Sequence, residues 1–216
     1  MFLAFVIMAI LIFDQWLKIW VKTHFYLGED YEITSWFHLH FIENNGFAFG
    51  LDWFNKYLLT FGRILAVILF IWLLRRFMSM PGLKQGFLIS VALIIAGAAG
   101  NIFDCVFYGE LFNNPYPPQV AQAFPPGGGY AGWFEGRVVD MLYFPLFSFV
   151  WPDWIPIVGG ESCLFFQYIF NIADASITIG VLLLIFFYSN DAAIALNTLT
   201  HRDDMGGDKL KESSDK

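Results

Sequence analysis

The chain has 216 residues, of which 57% are hydrophobic, 20% are aromatic and only 14% are charged. This composition excludes an ordinary soluble domain, in which about a quarter of the residues are charged, and predicts an integral membrane protein. The formal net charge is −7, and no run of Lys and Arg is long enough to follow a nucleic-acid backbone, so nucleic acid is not expected as a partner.

Four segments have the length and apolar character of a membrane-spanning helix, which needs about 20 residues. They cover residues 2–22, 57–75, 86–106 and 164–188. The link between the second and third segments, counted with Arg75 at the end of the second, carries three basic residues (Arg75, Arg76 and Lys84) and no acidic one, which predicts that it is cytoplasmic. Both termini then lie in the cytoplasm, and the segments 23–56 and 107–163 lie on the outer face. Residues 191–216 are expected to be a polar, disordered cytoplasmic tail.

The two outer segments have different patterns. Residues 31–43 include stretches that alternate between polar and apolar side chains, which predicts a small β-sheet at the membrane surface. Residues 113–133 are rich in Pro and Gly and long for a plain linker, which indicates a functional lid or a family-specific insertion. The expected fold class is therefore mainly α, with four transmembrane helices and a small extracytoplasmic β region.

Several polar residues lie inside the predicted spans, where an ionisable group is costly and often functional. Asp14 and Lys18 are four residues apart on one helix face and can form an ion pair, for which a structural role is the simpler interpretation. The pattern Asn-x-x-Asp occurs twice, in Asn101–Asp104 and in Asn171–Asp174. Each spacing puts an amide and a carboxylate on the same helix face. Such an amide either orients the acid or bonds to a neighbouring helix.

Asp140 lies in the second outer segment and would alone be an ordinary surface charge. The assigned topology, however, brings polar groups from separate segments to the same depth, namely Asp14, Asn44–Gly50, Asn101, Asp104, Asp140 and Asp174. Two carboxylates in a poorly solvated place do not both ionise easily, so one keeps a proton while the other accepts one from water. This is the requirement of an aspartyl protease. Which carboxylate is the base stays open.

Other chemistries have weaker support in the sequence. It contains no HExxH and no GxSxG motif. His38 and His40 are interpreted as a surface pair, because no third metal ligand accompanies them, and no metal is predicted. Cys105 and Cys163 both map near outer helix ends and could pair in an oxidising compartment, although the sequence does not fix their distance.

Two other classes of function remain as alternatives. In a proton-conducting transporter, Asp14, Asp104 and Asp174 would form a relay through the bilayer. A relay needs charges spread through the membrane depth, whereas these are expected to cluster on one side. A non-catalytic membrane scaffold would have no evident use for two Asn-x-x-Asp units.

The motifs resemble those of bacterial lipoprotein signal peptidase, signal peptidase II, along essentially the whole chain. The similar segments are, in chain order, Asp14-Gln-x-x-Lys18, Asn44-Asn-Gly46-Phe-Ala48-Phe-Gly50, Gly100-Asn101-x-x-Asp104, Val138-Val139-Asp140 and Phe170-Asn171-x-Ala173-Asp174. The resemblance implies that Asp140 and Asp174 are the catalytic pair. The residues expected to support the site or bind substrate are Asn44, Gly46, Asn101, Asp104, Asn171, Asp14 and Lys18.

By the same resemblance, the substrate is a prolipoprotein whose lipobox cysteine carries a diacylglyceryl group, and the cut falls just before that cysteine. The resemblance also implies the bacterial inner membrane as location, membrane lipid as a partner, globomycin as an inhibitor, and no cofactor. The chain departs from the family at Cys105, where an arginine is usual, and Arg137 or Arg63 could substitute for it. The insertion at about 110–135 is longer than the family norm.

Overall fold

The computed structural model describes residues 1–44 and 56–200. Within these ranges the helices are α1 (Phe2–His24), α2 (Lys56–Met78), α3 (Gln85–Leu111), α4 (Ile172–Phe186) and α5 (Ser189–Thr200). The first three are long and apolar enough to cross a membrane, and α4 with α5 makes a fourth candidate if the bent pair is counted as one span. None of these helices contains a proline, which would remove a backbone hydrogen bond from the helix interior.

The predicted start of the fourth span is wrong. Residues 162–165 and 169–170 are strands, and α4 begins only at Ile172. The side chain of Asn171 caps this helix by accepting the N–H of Asp174 at 2.8 Å. Hydropathy alone does not separate a strand from a helix, and the aromatic residues before Asn171 favour a strand.

The chain also differs from the expectation beyond α4. The axis turns by 85° between α4 and α5. Residues 191–200, expected to belong to a disordered tail, are helical. The side chain of Asp191 in α5 is buried and accepts the backbone N–H of Lys84 at 2.9 Å, which ties α5 to the start of α3. Residues 201–216 lie outside the described residues.

The central helix is α3, against which α1, α2 and α4 all pack. Its approach to α4 is close, because small residues line the contact between the two helices. A Cβ added to Gly97 would lie 2.7 Å from the side chain of Ile177, and one added to Gly180 would lie 2.7 Å from the carbonyl oxygen of Ser90. These glycines therefore set the spacing of α3 and α4.

The predicted small sheet is confirmed. Strands β1 (Asp30–Thr34), β2 (Phe37–Asn44), β3 (Val138–Tyr143) and β6 (Ile169–Phe170) form an antiparallel sheet in the order β1-β2-β3-β6. A separate hairpin consists of β4 (Phe147–Val150) and β5 (Ser162–Phe165). Helices α1 and α3 end beside the sheet, and α2 and α4 begin there, so we call this the sheet end of the bundle. Its apolar core includes Val21, Phe41, Tyr108, Val139 and Met141.

The Pro- and Gly-rich segment after α3 packs back along the end of that helix. The backbone N–H groups of Phe134 and Gly136 donate to the carbonyl oxygens of Val106 and Cys105, at 3.1 Å and 2.9 Å. Gly109 permits the approach, because a Cβ there would lie 2.6 Å from the carbonyl oxygen of Gly132. The contacts favour a packed insertion over a lid.

Candidate active site

Asp140 is enclosed by amide groups at the sheet end of the bundle. It lies on β3, is 2% exposed, and accepts hydrogen bonds at its two oxygens from the side-chain amides of Asn44 and Asn171. The bond from Asn171 measures 2.6 Å. Asn44 reaches Asp140 because Ile42 is the register partner of Asp140, which places Asn44 diagonally opposite on the same face of the sheet.

Asp174 lies in the first turn of α4 and is held by donors from two elements. The side-chain amide of Asn101 on α3 donates to one oxygen at 2.7 Å, and the backbone N–H of Asn171 donates to the other at 3.4 Å. Asn171 therefore contacts both aspartates, with its side chain on Asp140 and its backbone on Asp174. The structure brings together the two residues predicted to be catalytic and both predicted Asn-x-x-Asp pairs.

A buried charge network centred on Lys18 lies next to the two aspartates. The Nζ atom of Lys18 is 3.0 Å from a carboxylate oxygen of Asp14, 2.9 Å from one of Asp104 and 2.9 Å from the amide oxygen of Asn101. Lys18, Asp14 and Asp104 are each at most 1% exposed. The ion pair expected from the spacing of Asp14 and Lys18 is present, and Asp104 joins it.

The same network holds the backbone directly before each aspartate. Asp14 accepts the N–H of Ala173 at 2.9 Å, and Asp104 accepts the N–H of Val139 at 3.2 Å. Ala173 precedes Asp174, and Val139 precedes Asp140. The ion pairs on α1 and α3 thus fix the backbone at both aspartates.

Two residues of this network were missed in the sequence analysis. Gln15 donates to Asp104 at 2.8 Å, and its amide oxygen accepts the hydroxyl hydrogen of Tyr108 at 3.0 Å. The available signals were the amide of Gln15 beside Asp14 within an apolar span and the position of Tyr108 one turn after Asp104 on the same helix face.

A second buried charge cluster was also missed. The carboxylate of Glu43 accepts from Lys22 and, at 3.4 Å, from Arg137. Both cations lie 5.2 Å from the ring centre of Tyr130, whose pKa is raised by burial. Glu43 precedes Asn44, and Arg137 begins the segment that leads to Asp140. The cluster therefore ties α1 to the two strands that carry Asn44 and Asp140, and the charge of Lys22 is neutralised within it.

The environment of Asp140 favours its protonated form. Burial, followed by the nearby carboxylate of Asp174, raises the pKa of Asp140 to about 8. Lys18 and the amide of Asn171 act in the opposite direction and are outweighed. Asp140 can therefore keep a proton at neutral pH.

An apolar cavity of about 380 Å³ opens beside Asp174. Its lining residues are Phe166, Tyr168, Phe170, Asp174, Ala175, Thr178 and Ile179. Asp174 is the only ionisable carboxylate among them and is half-buried. An apolar ligand in this cavity would therefore contact one carboxylate of the pair.

The remaining candidates lie elsewhere. His38 and His40 flank Asp30, with Nδ1 atoms 3.1 Å and 3.8 Å from its carboxylate oxygens. Cys105 and Cys163 are both free, so the disulfide considered from the sequence is not formed. Gly46 lies outside the described residues. Within residues 1–44 and 56–200, no group of three or more His, Cys, Asp or Glu side chains is arranged to hold a metal ion.

The two arginines considered as substitutes at the Cys105 position have different partners. The guanidinium of Arg63 on α2 lies 3.5 Å from the Cys105 sulfur. Arg137, in contrast, bonds to Glu43 and stacks on Tyr130. Of the two, Arg63 is therefore the one that reaches Cys105.

Comparison with known proteins gives one consistent result. The family model for signal peptidase (SPase) II matches residues 6–189. A lipoprotein signal peptidase of Porphyromonas gingivalis is 45% identical over 194 residues, covering 90% of this chain and 85% of that protein. One from Amoebophilus asiaticus is 37% identical, covering 85% of this chain and 75% of that protein.

Solved structures of bacterial membrane enzymes share the fold. One has a TM-score of 0.59 at 23% identity and covers 88% of each chain. Another has a TM-score of 0.56 at 26% identity and covers 85% of this chain and 89% of its own.

The apolar helices and these structural matches define an integral membrane protein with the fold of a membrane enzyme. The family match and the two relatives are more specific, and the chain belongs to the signal peptidase II family. Membership makes it a protease of lipoprotein processing, in a family that removes signal peptides from prolipoproteins.

Proposed function

We propose that this protein is an aspartic endopeptidase in which Asp140 and Asp174 together activate water for peptide hydrolysis. The observation that carries the proposal is the double contact of Asn171. This residue is fully buried and bonds to Asp140 through its side chain and to Asp174 through its backbone. A buried carboxylate beside a second, half-buried one is the arrangement that lets a pair share one proton.

The unequal surroundings of the aspartates suggest their roles. Asp174 lies at the N-terminus of α4, where the helix dipole stabilises negative charge. As the ionised member, it takes a proton from the attacking water. Asp140 carries the shared proton, donates a hydrogen bond to the developing oxyanion, and then gives the proton to the leaving amine. Asn44, Asn101 and Asn171 orient these two carboxylates.

The supporting residues act by positioning the two aspartates. Lys18 neutralises Asp14 and Asp104, which in turn bind the N–H groups of Ala173 and Val139. Because these amides precede the two aspartates, the network preorganises the pair before substrate arrives. Gly46 is proposed as a further site residue on the resemblance alone.

The proposed substrate is a prolipoprotein with a diacylglyceryl group on its lipobox cysteine, cut just before that cysteine. The apolar cavity beside Asp174 is compatible with such an apolar ligand. Globomycin is proposed as an inhibitor that occupies the same site.

The proposed location is the bacterial cytoplasmic membrane, with four spans, both termini in the cytoplasm and the site at the outer leaflet. Two facts support this orientation. Arg75, Arg76 and Lys84 lie at the end of the bundle opposite the sheet. At the sheet end, the lysines Lys18 and Lys22 are neutralised by buried acids.

Cleavage of two forms of one prolipoprotein tests this function. We expect the purified protein to cut the diacylglyceryl-modified form, to release a product that begins with the lipidated cysteine by mass spectrometry, and to be stopped by globomycin. Equal cleavage of the unmodified form, or a cut at another bond, would contradict the proposed substrate.

A further inference from the structure

The β4–β5 hairpin, residues 147–165 and called here the aromatic hairpin, exposes large apolar side chains at the sheet end of the bundle. In the loop at its tip, Trp154 is 80% exposed and Ile157 is 97% exposed. Phe147 and Val150 on β4 are 56% and 63% exposed. Large apolar side chains that are exposed together in one element indicate a binding surface in a protein surrounded by water.

Aromatic ring pairs lie both in the aromatic hairpin and at the cavity beside Asp174 that follows it in the chain. The rings of Phe147 and Phe165 stack at 4.8 Å across the two strands. Beyond the hairpin, Phe166 lies 5.8 Å from Phe170, and both line the cavity. Aromatic rings in membrane proteins concentrate at the level of the lipid headgroups.

The exposed side of α4 lies next to the end of the hairpin. Ile179 lines the same cavity as Phe166 and is 51% exposed, and one to two turns further along the helix Leu182 and Ile185 are 46% and 57% exposed. These α4 side chains face the hydrocarbon if α4 enters the membrane. Phe166, the residue that follows the hairpin, lines this cavity together with Ile179. The hairpin is therefore adjacent to the exposed side of α4, and one bilayer is the occupant that fits both surfaces.

The charge of the hairpin does not fit a surface that binds by electrostatic attraction. Between residues 144 and 170 the only charged residues are Asp153 and Glu161, and there is no Lys or Arg. A surface with two acids and no base has no electrostatic attraction to anionic lipids. Its binding must therefore come from burial of apolar side chains.

We propose that the aromatic hairpin is a membrane-interface element, which inserts Trp154 and Ile157 into the headgroup region of the leaflet that contains the N-terminal end of α4. It would extend the lipid-contacting surface of the protein up to the cavity beside Asp174. The proposal concerns lipid contact and holds whether or not the two aspartates are catalytic.

Fluorescence quenching of the full chain in phosphatidylcholine nanodiscs, one protein per disc, tests this proposal. Ile157→Cys is labelled with an environment-sensitive fluorophore in a Cys163→Ser background, where the remaining Cys105 is buried. The matched control is Gln119→Cys in the exposed part of the other long loop. Because an interfacial side chain lies within roughly 5–10 Å of the acyl boundary, nitroxide lipids should quench the label at position 157 at least about twofold. The label at position 119 should respond mainly to an aqueous quencher.

The controls separate lipid contact from other occupants. Quenching at position 157 should be unchanged by high salt and by added anionic lipid. A strong rise with anionic lipid would contradict the apolar mode of binding. Equal lipid quenching at positions 157 and 119, or protection of position 157 only when two proteins share one disc, would overturn the proposal. None of these readings needs substrate, so they stand apart from any test of peptidase activity.

Discussion

The charged form of the Asp140 carboxyl group is disfavoured, because the side chain is only 2% exposed and the carboxylate of Asp174 is nearby. Its folded-state pKa of about 8 lies above the value of about 3.9 expected in the unfolded chain. Between these values the folded protein holds a proton that the unfolded chain has lost. The free energy of unfolding must therefore decrease as the pH rises through this window.

Asp140→Asn removes this pH dependence, because the amide is neutral at every pH. We expect the wild-type melting temperature in detergent to fall between about pH 5 and pH 9, and the variant to exceed it by at least about 3 °C near pH 8.5. Asp153→Asn, at an exposed position on the hairpin, is the control and should keep the wild-type slope. Parallel curves for wild type and Asp140→Asn would contradict the protonated state assigned to Asp140.

Asn171 combines a structural and a proposed catalytic role, and two substitutions separate them. Serine keeps the helix N-cap of α4 but does not reach Asp140, whereas alanine loses both functions. We expect Asn171→Ser to lose about 1–3 kcal/mol in stability, because Asp140 and the carbonyl of Val139 lose a buried donor. It should also lose roughly 10- to 100-fold in kcat, because the pair is no longer oriented. Asn171→Ala should lose about 1 kcal/mol more in stability at similar kcat. Wild-type kcat for Asn171→Ser would refute the orienting role.

At the scale of elements, the packing of α4 on α3 decides where Asp174 lies. Gly97 faces the backbone of Ala173 and the side chain of Ile177 so closely that a methyl group has no room. Gly62 on α2, in contrast, has nothing within 4 Å of an added Cβ.

The Gly97→Ala and Gly62→Ala variants test this packing. Gly97→Ala should push α4 away, lower the melting temperature and reduce kcat at least about tenfold, since overpacking typically costs about 1–3 kcal/mol. Gly62→Ala should be neutral or slightly stabilising, because alanine is the better helix former. Equal behaviour of the two variants would show that the helix contact does not control the site.

The helices and strands also show how much of the fold local sequence patterns can predict. Long apolar runs predicted α1, α2 and α3 close to their observed bounds, and alternation in 31–43 predicted the sheet. The apolar run from Leu164 to Phe170 was misassigned to a helix because hydropathy carries no information on backbone conformation. The contact of Lys22 with Glu43 could not be predicted, since it depends on tertiary pairing between α1 and β2 that no local pattern encodes.

For the whole molecule, the membrane orientation is a prediction that labelling can check. Ser79→Cys lies in the exposed link between α2 and α3, and Gln119→Cys lies in the long loop at the sheet end. In a Cys163→Ser background, an impermeant maleimide should label position 119 in intact spheroplasts and position 79 only after lysis. The opposite pattern would invert the proposed orientation.

The candidate site was more predictable than the complete fold. Ionisable and amide residues are costly inside apolar spans, so Asp14, Asn101, Asp104 and Asp174 stood out without any knowledge of their contacts. To predict that they lie near Asp140, it was enough to assign the link between α2 and α3 to the cytoplasmic side. The sequence did not contain the geometry of the bonds through Asn171, or the pairing of Asp14 and Asp104 with the backbone before each aspartate, because these depend on the packing of α1 against α3 and α4.

The most direct test of the proposed dyad is the rate of cleavage of a diacylglyceryl-modified prolipoprotein by four purified proteins: wild type, Asp140→Asn, Asp174→Asn and the exposed control Asp153→Asn. With melting temperatures showing that each variant is folded, the first two substitutions should each reduce kcat about a thousandfold or more, because each removes a proton-transfer group. The control should cleave at the wild-type rate. Substantial cleavage by either folded dyad variant, or none by the wild type, would contradict the assignment of Asp140 and Asp174 as the catalytic pair.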